Sequence, residues 1–201
     1  LSDLAYSELY YDGNPTPSIL QVKGAKDVAI EFTSLSKTYS MAGWRIGFAV
    51  GNKQLIAAMT RVKSYLDYGA FTPIQAAACS ALNGPQDIVE ANRQLYHKRR
   101  DVLIESFGRA GWDIPPPRAS MFAWAPLPPA LAHLGSLEFS KQLLTHAKVA
   151  VAPGMGYGED GEGYVRIALV ENEHRLRQAA RNVKRYLQSM GVNTPGQSRA
   201  G

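Results

Sequence analysis

A chain of 201 residues, 45% of them hydrophobic and 19% charged, has the make-up of a soluble globular protein with enough apolar material for one large domain or two small ones. Its net charge of +5 and pI near 9.3 permit an anionic ligand, but no run of five basic residues occurs. The lone cysteine, Cys79, rules out an intrachain disulfide, and no apolar stretch reaches the ~18 residues that a membrane span needs.

Asp3-Leu4-Ala5-Tyr6 reads, on composition alone, as a turn at a strand end. Residues 10–17 form a loop, with Asp12-Gly13-Asn14-Pro15 as dense turn signals. Residues 28–33 alternate as a β-branched and aromatic strand, and residues 45–50 make a second short, largely apolar strand. Between them lies a hydroxyl-rich loop that carries Lys37, with Arg45 eight residues later. A lysine at a strand end, near several hydroxyls and an arginine, suits an imine-forming amine beside a phosphate site. Gly43 and Gly47 are expected to let the backbone pack closely there.

Residues 53–65 carry Leu55, Ile56, Met59 and Val62 at helical spacing. An aromatic connection containing Tyr68 leads to a helix over residues 73–82, with Thr72 as its N-cap and Pro73 at its first position. Cys79 falls in the apolar run of that helix and is expected in the core. Residues 86–109 read as one long helix whose basic group, His97-Lys98-Arg99-Arg100, is expected to be a solvated face and not a nucleic-acid patch. Pro115-Pro116-Pro117 then forms a stiff, extended linker.

In the second part, residues 120–125 alternate as a strand, and Ser136 is expected to cap a helix running to Ala147. Residues 149–152 read as a short buried strand. The glycine-rich stretch 153–158 lacks the Lys-Ser/Thr pair of a nucleotide loop, so a mobile loop at the domain junction is expected. Residues 163–169 form a strand with Arg166 among apolar neighbours, which predicts a salt bridge to Glu171 or Glu173 or a functional role. The four histidines show no metal-ligand spacing, and an amphipathic helix over residues 173–190 closes the fold.

Ser34-Leu35-Ser36-Lys37 followed by Gly43-Trp44-Arg45-Ile46-Gly47 resembles the cofactor-lysine signature of class I/II aminotransferases, the fold-type I enzymes that use pyridoxal phosphate. The resemblance implies that Lys37 carries pyridoxal phosphate as a Schiff base and then acts as the general acid and base. It implies that Ser34 and Arg45 hold the cofactor phosphate, with Ser36 in the same cofactor-binding set. Asp3-Leu4-Ala5-Tyr6, 34 residues before the lysine, resembles the family element whose aspartate pairs with the pyridine nitrogen and whose tyrosine binds the phenolic oxygen. It further implies that Arg166 binds the substrate α-carboxylate, and that Tyr68 and Thr72 contact a partner subunit in a homodimer.

Family members run to about twice this length, so the chain resembles a C-terminal half, without the glycine-rich phosphate turn, the stacking aromatic and the asparagine beside the phenolic oxygen. The implied fold is α/β. Residues 1–100 would form the second half of a large domain with a mixed, mostly parallel sheet. Residues 101–190 would form a small α+β domain, joined through a long helix over about 85–110, and residues 191–201 a disordered tail.

Residues 63–69, 119–126 and 135–139 look most like bacterial alanine (glutamate–pyruvate) transaminases, which are similar to LL-diaminopimelate aminotransferases. The expectation is therefore a cytoplasmic transaminase acting on an L-amino acid and a 2-oxo acid, with no metal, nucleic-acid or membrane partner. Three alternatives remain: an LL-diaminopimelate aminotransferase, a lyase or synthase of the same fold, and the aminotransferase-like effector domain of a transcription regulator.

Overall fold

The structure, a computed structural model, describes residues 1–192; the expected disordered tail falls almost wholly outside the described residues. The chain divides into two compact units, Leu1–Leu95 with Arg118–Ser120, and Tyr96–Pro117 with the chain from Met121 onward. The fold is α/β, as expected, and among the described residues no helix is long and apolar enough to cross a membrane.

The first unit is built on a mixed three-stranded sheet of β1 (Ser2–Asp3), β2 (Ile30–Ser34) and β3 (Gly47–Gly51) in that order. β1 runs parallel to β2, with Asp3 opposite Phe32, and β3 runs antiparallel, with Gly47 opposite Ser34. Gly47 is needed here: a Cβ on it would lie 2.5 Å from the Thr33 carbonyl oxygen. Gly43, by contrast, stands in open space, so the close packing expected at both glycines occurs at one.

Three helices follow in this unit. One turn, α1 (Leu35–Thr38), leaves β2; α2 (Lys53–Leu66) is capped by the Asn52 side chain; α3 (Thr72–Asn83) comes next. Thr72 is not the cap of α3. Phe71 occupies that position without a side-chain hydrogen bond, and Thr72 already lies inside the helix. The apolar stripe of α2 is also not a core face, since Leu55 and Val62 are exposed and no residue of α2 is buried. Cys79 is exposed as well; Ala78 is the residue of α3 that turns inward.

A long helix, α4 (Asp87–Arg109), runs through the division between the units. Its basic group is a solvated face only in part: Lys98 is exposed, but the two arginines are engaged. Arg99 donates to the Leu169 and Val170 carbonyls, and buried Arg100 reaches the Pro117 carbonyl and the Asp101 carboxylate. Here the arginine forks reach carbonyls just past β6 and in the proline segment, a pairing invisible in the linear order.

The second unit has an all-antiparallel sheet of β4 (Phe122–Pro126), β5 (Ala152–Pro153) and β6 (Tyr164–Ala168), in the order β4-β6-β5. Alternation sends Ala123, Ala125, Val165 and Ile167 into the core and leaves Phe122, Trp124 and Arg166 on the other face. The core is completed by α5 (Gly135–Gln142), a π turn over Leu143–Ala147, and α6 (Glu173–Ser189). Trp112 is buried within it, edge-on to Phe139, and its indole N–H donates to the Pro126 carbonyl at 2.8 Å.

Three local expectations are corrected in this unit. Ser136 does not cap the helix to Ala147; its backbone N–H and hydroxyl both donate to the Glu162 carboxylate. Residues 149–152 are not a buried strand, because only Ala152 pairs and Ala150 is exposed. The stretch 153–158, expected as a loop, contains a 3₁₀ turn, Gly154–Tyr157, with Gly154 buried.

Candidate functional site

Adjacent parallel strands deliver the first group of candidate residues. Because β1 and β2 run in the same direction, Asp3 and Ser34 leave the sheet toward the same end. The Leu4 N–H donates to the Phe32 carbonyl at 2.8 Å, extending the pairing one step past the strand. Exposed Asp3 accepts from the Ala5 N–H at 3.1 Å in a tight local turn, and half-buried Tyr6 follows on that turn.

Lys37 lies in α1, not in a loop. The Ser34 hydroxyl oxygen accepts from the Ser36 N–H at 3.2 Å, and the Tyr39 N–H closes the turn on the Leu35 carbonyl. Ser36 is buried beneath this turn. The Lys37 ammonium sits 5.8 Å from the Tyr6 ring centroid and is half-buried. Among the described residues no carboxylate or hydrogen-bond acceptor engages it.

Arg45 stands beside the same turn, since the Leu35 N–H donates to the carbonyl of its neighbour Ile46 at 3.2 Å. Its backbone is left-handed, with φ of 52°, a conformation that a side-chain-bearing residue adopts rarely and that points to a local demand. The guanidinium donates to the Ala42 carbonyl at 3.1 Å and pairs with no carboxylate among the described residues. The group as a whole offers an amine for a carbonyl carbon, a carboxylate, a phenol, serine hydroxyls and a free cation for an anion.

Asn92, on α4, was not foreseen as part of this arrangement. Its amide donates to the Thr38 carbonyl at 2.9 Å and its oxygen accepts from the Ser40 hydroxyl at 3.3 Å, so it anchors the lysine turn from behind. The available signal was a polar residue between the apolar positions Val89 and Tyr96 of one helix face. Asn92→Leu is expected to leave the Thr38 carbonyl unpaired, at a cost of about 1–3 kcal/mol. A lower thermal midpoint and a looser lysine turn, read by hydrogen exchange at Thr38 to Ser40, would check this.

Tyr68 and Thr72 are both exposed; Tyr68 also has a left-handed backbone. Arg166 belongs to the second unit. It is half-buried on β6, directly opposite Trp124, with its guanidinium carbon 4.1 Å from the Phe122 ring centroid and 4.6 Å from that of Tyr157. The alternative, a salt bridge to Glu171 or Glu173, does not form: Glu173 lies 3.9 Å from Lys98 instead, and Arg166 has no carboxylate partner among the described residues. The two aromatic neighbours were not legible as its partners, because they arrive from β4 and from the glycine-rich turn.

The sequence model of the family described as aminotransferase class I and II matches residues 1–183. AatC of Rhizobium meliloti is 67% identical over 189 residues, covering 94% of this chain and 47% of that protein. The glutamate-pyruvate aminotransferase AlaC of Escherichia coli is 54% identical over 190 residues, covering 94% of this chain and 46% of that one. Several LL-diaminopimelate aminotransferases match at 45–47% identity. Among solved structures, an aromatic aminotransferase from Pyrococcus horikoshii superposes with a TM-score of 0.90 at 30% identity, covering 96% of this chain and 52% of that one. The chain spans about half the length of the curated relatives it matches.

Proposed function

The chain belongs to the aminotransferase class I and II family, and from that membership we propose that the full-length protein is a pyridoxal-phosphate-dependent amino-acid transaminase in which Lys37 is the catalytic residue. One observation supports this reading above the others: a half-buried lysine ammonium with no anionic partner, on a turn beside Tyr6 at the strand ends that carry Asp3 and Ser34. A structural lysine in such a place would be expected to have an ion pair or full solvation.

The residues fit the cofactor group by group. The Lys37 amine suits its aldehyde, the Asp3 carboxylate its ring nitrogen and the Tyr6 phenol its phenolic oxygen. The Ser34 and Ser36 hydroxyls and the unneutralised Arg45 suit its phosphate. When bound, pyridoxal phosphate supplies a carbonyl carbon for amino groups and a ring that withdraws electrons from the substrate α-carbon. Lys37 would hold the group through that carbonyl carbon. Once freed by a substrate amine, the Lys37 amine would be the base that takes up the substrate α-proton and the acid that gives it back. Asp3 would keep the ring nitrogen protonated by its negative charge, and Tyr6 would hydrogen-bond the phenolic oxygen. Arg166 offers a planar fork to the substrate α-carboxylate. Tyr68 and Thr72, both exposed, contact the second subunit of a homodimer.

Alanine and glutamate, with pyruvate and 2-oxoglutarate, are the proposed substrate pair, supported by the 54% identity to AlaC. LL-diaminopimelate is the second reading, supported by the relatives at 45–47% identity.

Arg166→Lys tests the proposal. The variant keeps the charge and loses the bidentate geometry, and each lost charge-assisted bond costs about 1.5–3 kcal/mol, or tenfold or more in kcat/KM. That loss is expected with alanine and to be much smaller with ethylamine, which has no carboxylate. Equal proportional losses for the two amines, with a lower thermal midpoint, would make Arg166 structural.

A further inference from the structure

We propose that Tyr157, together with Phe122, is an aromatic clamp that positions the Arg166 guanidinium for the substrate carboxylate, a role that rests on the carboxylate-binding reading of Arg166. The guanidinium carbon lies 4.1 Å from the Phe122 ring centroid and 4.6 Å from the Tyr157 centroid, within cation–π distance of both. A guanidinium meets a ring with its face, whereas its five N–H donors all lie in its plane. Rings can therefore hold the group without using the donors that a carboxylate needs. A salt bridge would have held it too, but at the cost of those donors, and among the described residues Arg166 has none.

The clamp is itself fixed. Tyr157 ends the 3₁₀ turn Gly154–Tyr157, which is pinned to the segment behind it. A Cβ on Gly154 would lie 2.0 Å from the Gly161 carbonyl oxygen, so only glycine allows the two backbones to meet. The Met155 N–H donates to the Ser136 hydroxyl oxygen at 3.2 Å, and that hydroxyl donates to the Glu162 carboxylate at 2.9 Å. Glu162 also accepts from the Gly163 and Ser136 N–H groups; the first and then the second of these hold its carboxyl below the usual value. Trp124 meets Tyr157 edge-on at 5.7 Å and stacks on Tyr164 at the same separation, which supports the ring from one side. An arginine ordered in advance loses less freedom when the carboxylate arrives, so the effect belongs in binding.

The test uses the full-length enzyme with its cofactor. Tyr157→Leu is expected to lower kcat/KM for alanine by about three- to fivefold and to weaken propionate binding by a similar factor, the range of a single cation–π contact at a partly exposed site. The change with ethylamine is expected to stay within about twofold. Tyr157→Phe, which keeps the ring, restores most of the loss. In an Arg166→Lys background, Tyr157→Leu adds little further, as a shared role requires. Phe122→Leu gives a second reading of the clamp should Tyr157→Leu fold poorly, and the same carboxylate-selective loss is expected. If Arg166→Lys shows its selective loss while neither clamp variant does, the clamp is overturned and the carboxylate reading stands. If Arg166→Lys itself loses equally with both amines, the underlying reading has failed instead.

Discussion

Lys37→Ala is expected to remove the yellow absorbance of the lysine-bound cofactor and nearly all turnover of the full-length protein. In the proposed role the loss has two sources, because the same amine would attach the cofactor and move the substrate proton. Acid–base catalysis by a positioned side chain contributes about 10²–10⁴-fold, and loss of the covalent attachment adds to that. Borohydride reduction of the wild type is expected to fix the cofactor on the peptide containing Lys37. The other lysines make poor competitors: Lys23, Lys26 and Lys53 are exposed, and Lys63 is paired with Asp67. Lys37 alone of these is half-buried with no anion beside it. Labelling of any other lysine would remove it from the proposed role.

Asp3→Asn is expected to slow the amino-acid half-reaction by about 10²–10³-fold, the usual penalty for removing one preorganised electrostatic partner. The substitution isolates charge from shape. Asparagine retains an oxygen that can accept the Ala5 N–H, so the turn leading to Tyr6 should persist. What disappears is the negative charge proposed to keep the ring nitrogen of the cofactor protonated. Cofactor should therefore still attach to Lys37, with its absorbance yield and borohydride labelling close to wild type, while the chemical step fails. A half-reaction rate equal to wild type would place Asp3 outside the site.

Much of the local structure was legible from neighbouring residues. Alternation over residues 28–33 marks a strand, which the structure places at Ile30–Ser34, and helical spacing marks α2, α4 and α6 close to their observed bounds. The family itself was legible in the Ser34-to-Gly47 spacing and in Asp3-Leu4-Ala5-Tyr6, and the family model matches residues 1–183. Such signals survive in one dimension because each depends on residues a few positions apart.

Other features depended on which distant segments meet. Helical spacing in α2 could say that Leu55 and Val62 share a stripe, but only packing shows that nothing in their unit covers it. Cys79 and Ala78 are adjacent in an apolar run, and one step of helix rotation turns one inward and the other out. Ser136 had the right type for a cap, yet Glu162, 26 positions away, claims its donors. Arg99 and Arg100 read as solvated until β6 and the proline linker bring unpaired carbonyls to them. Arg166 shows the limit most clearly. Its cost of burial pointed to a partner in the linear order, and the nearby glutamates were the natural candidates. The antiparallel register of β4 against β6 and the turn at Tyr157 bring aromatic faces to it instead. Spacing along a chain determines which residues share a strand or a helix face; tertiary contact alone determines what each face meets.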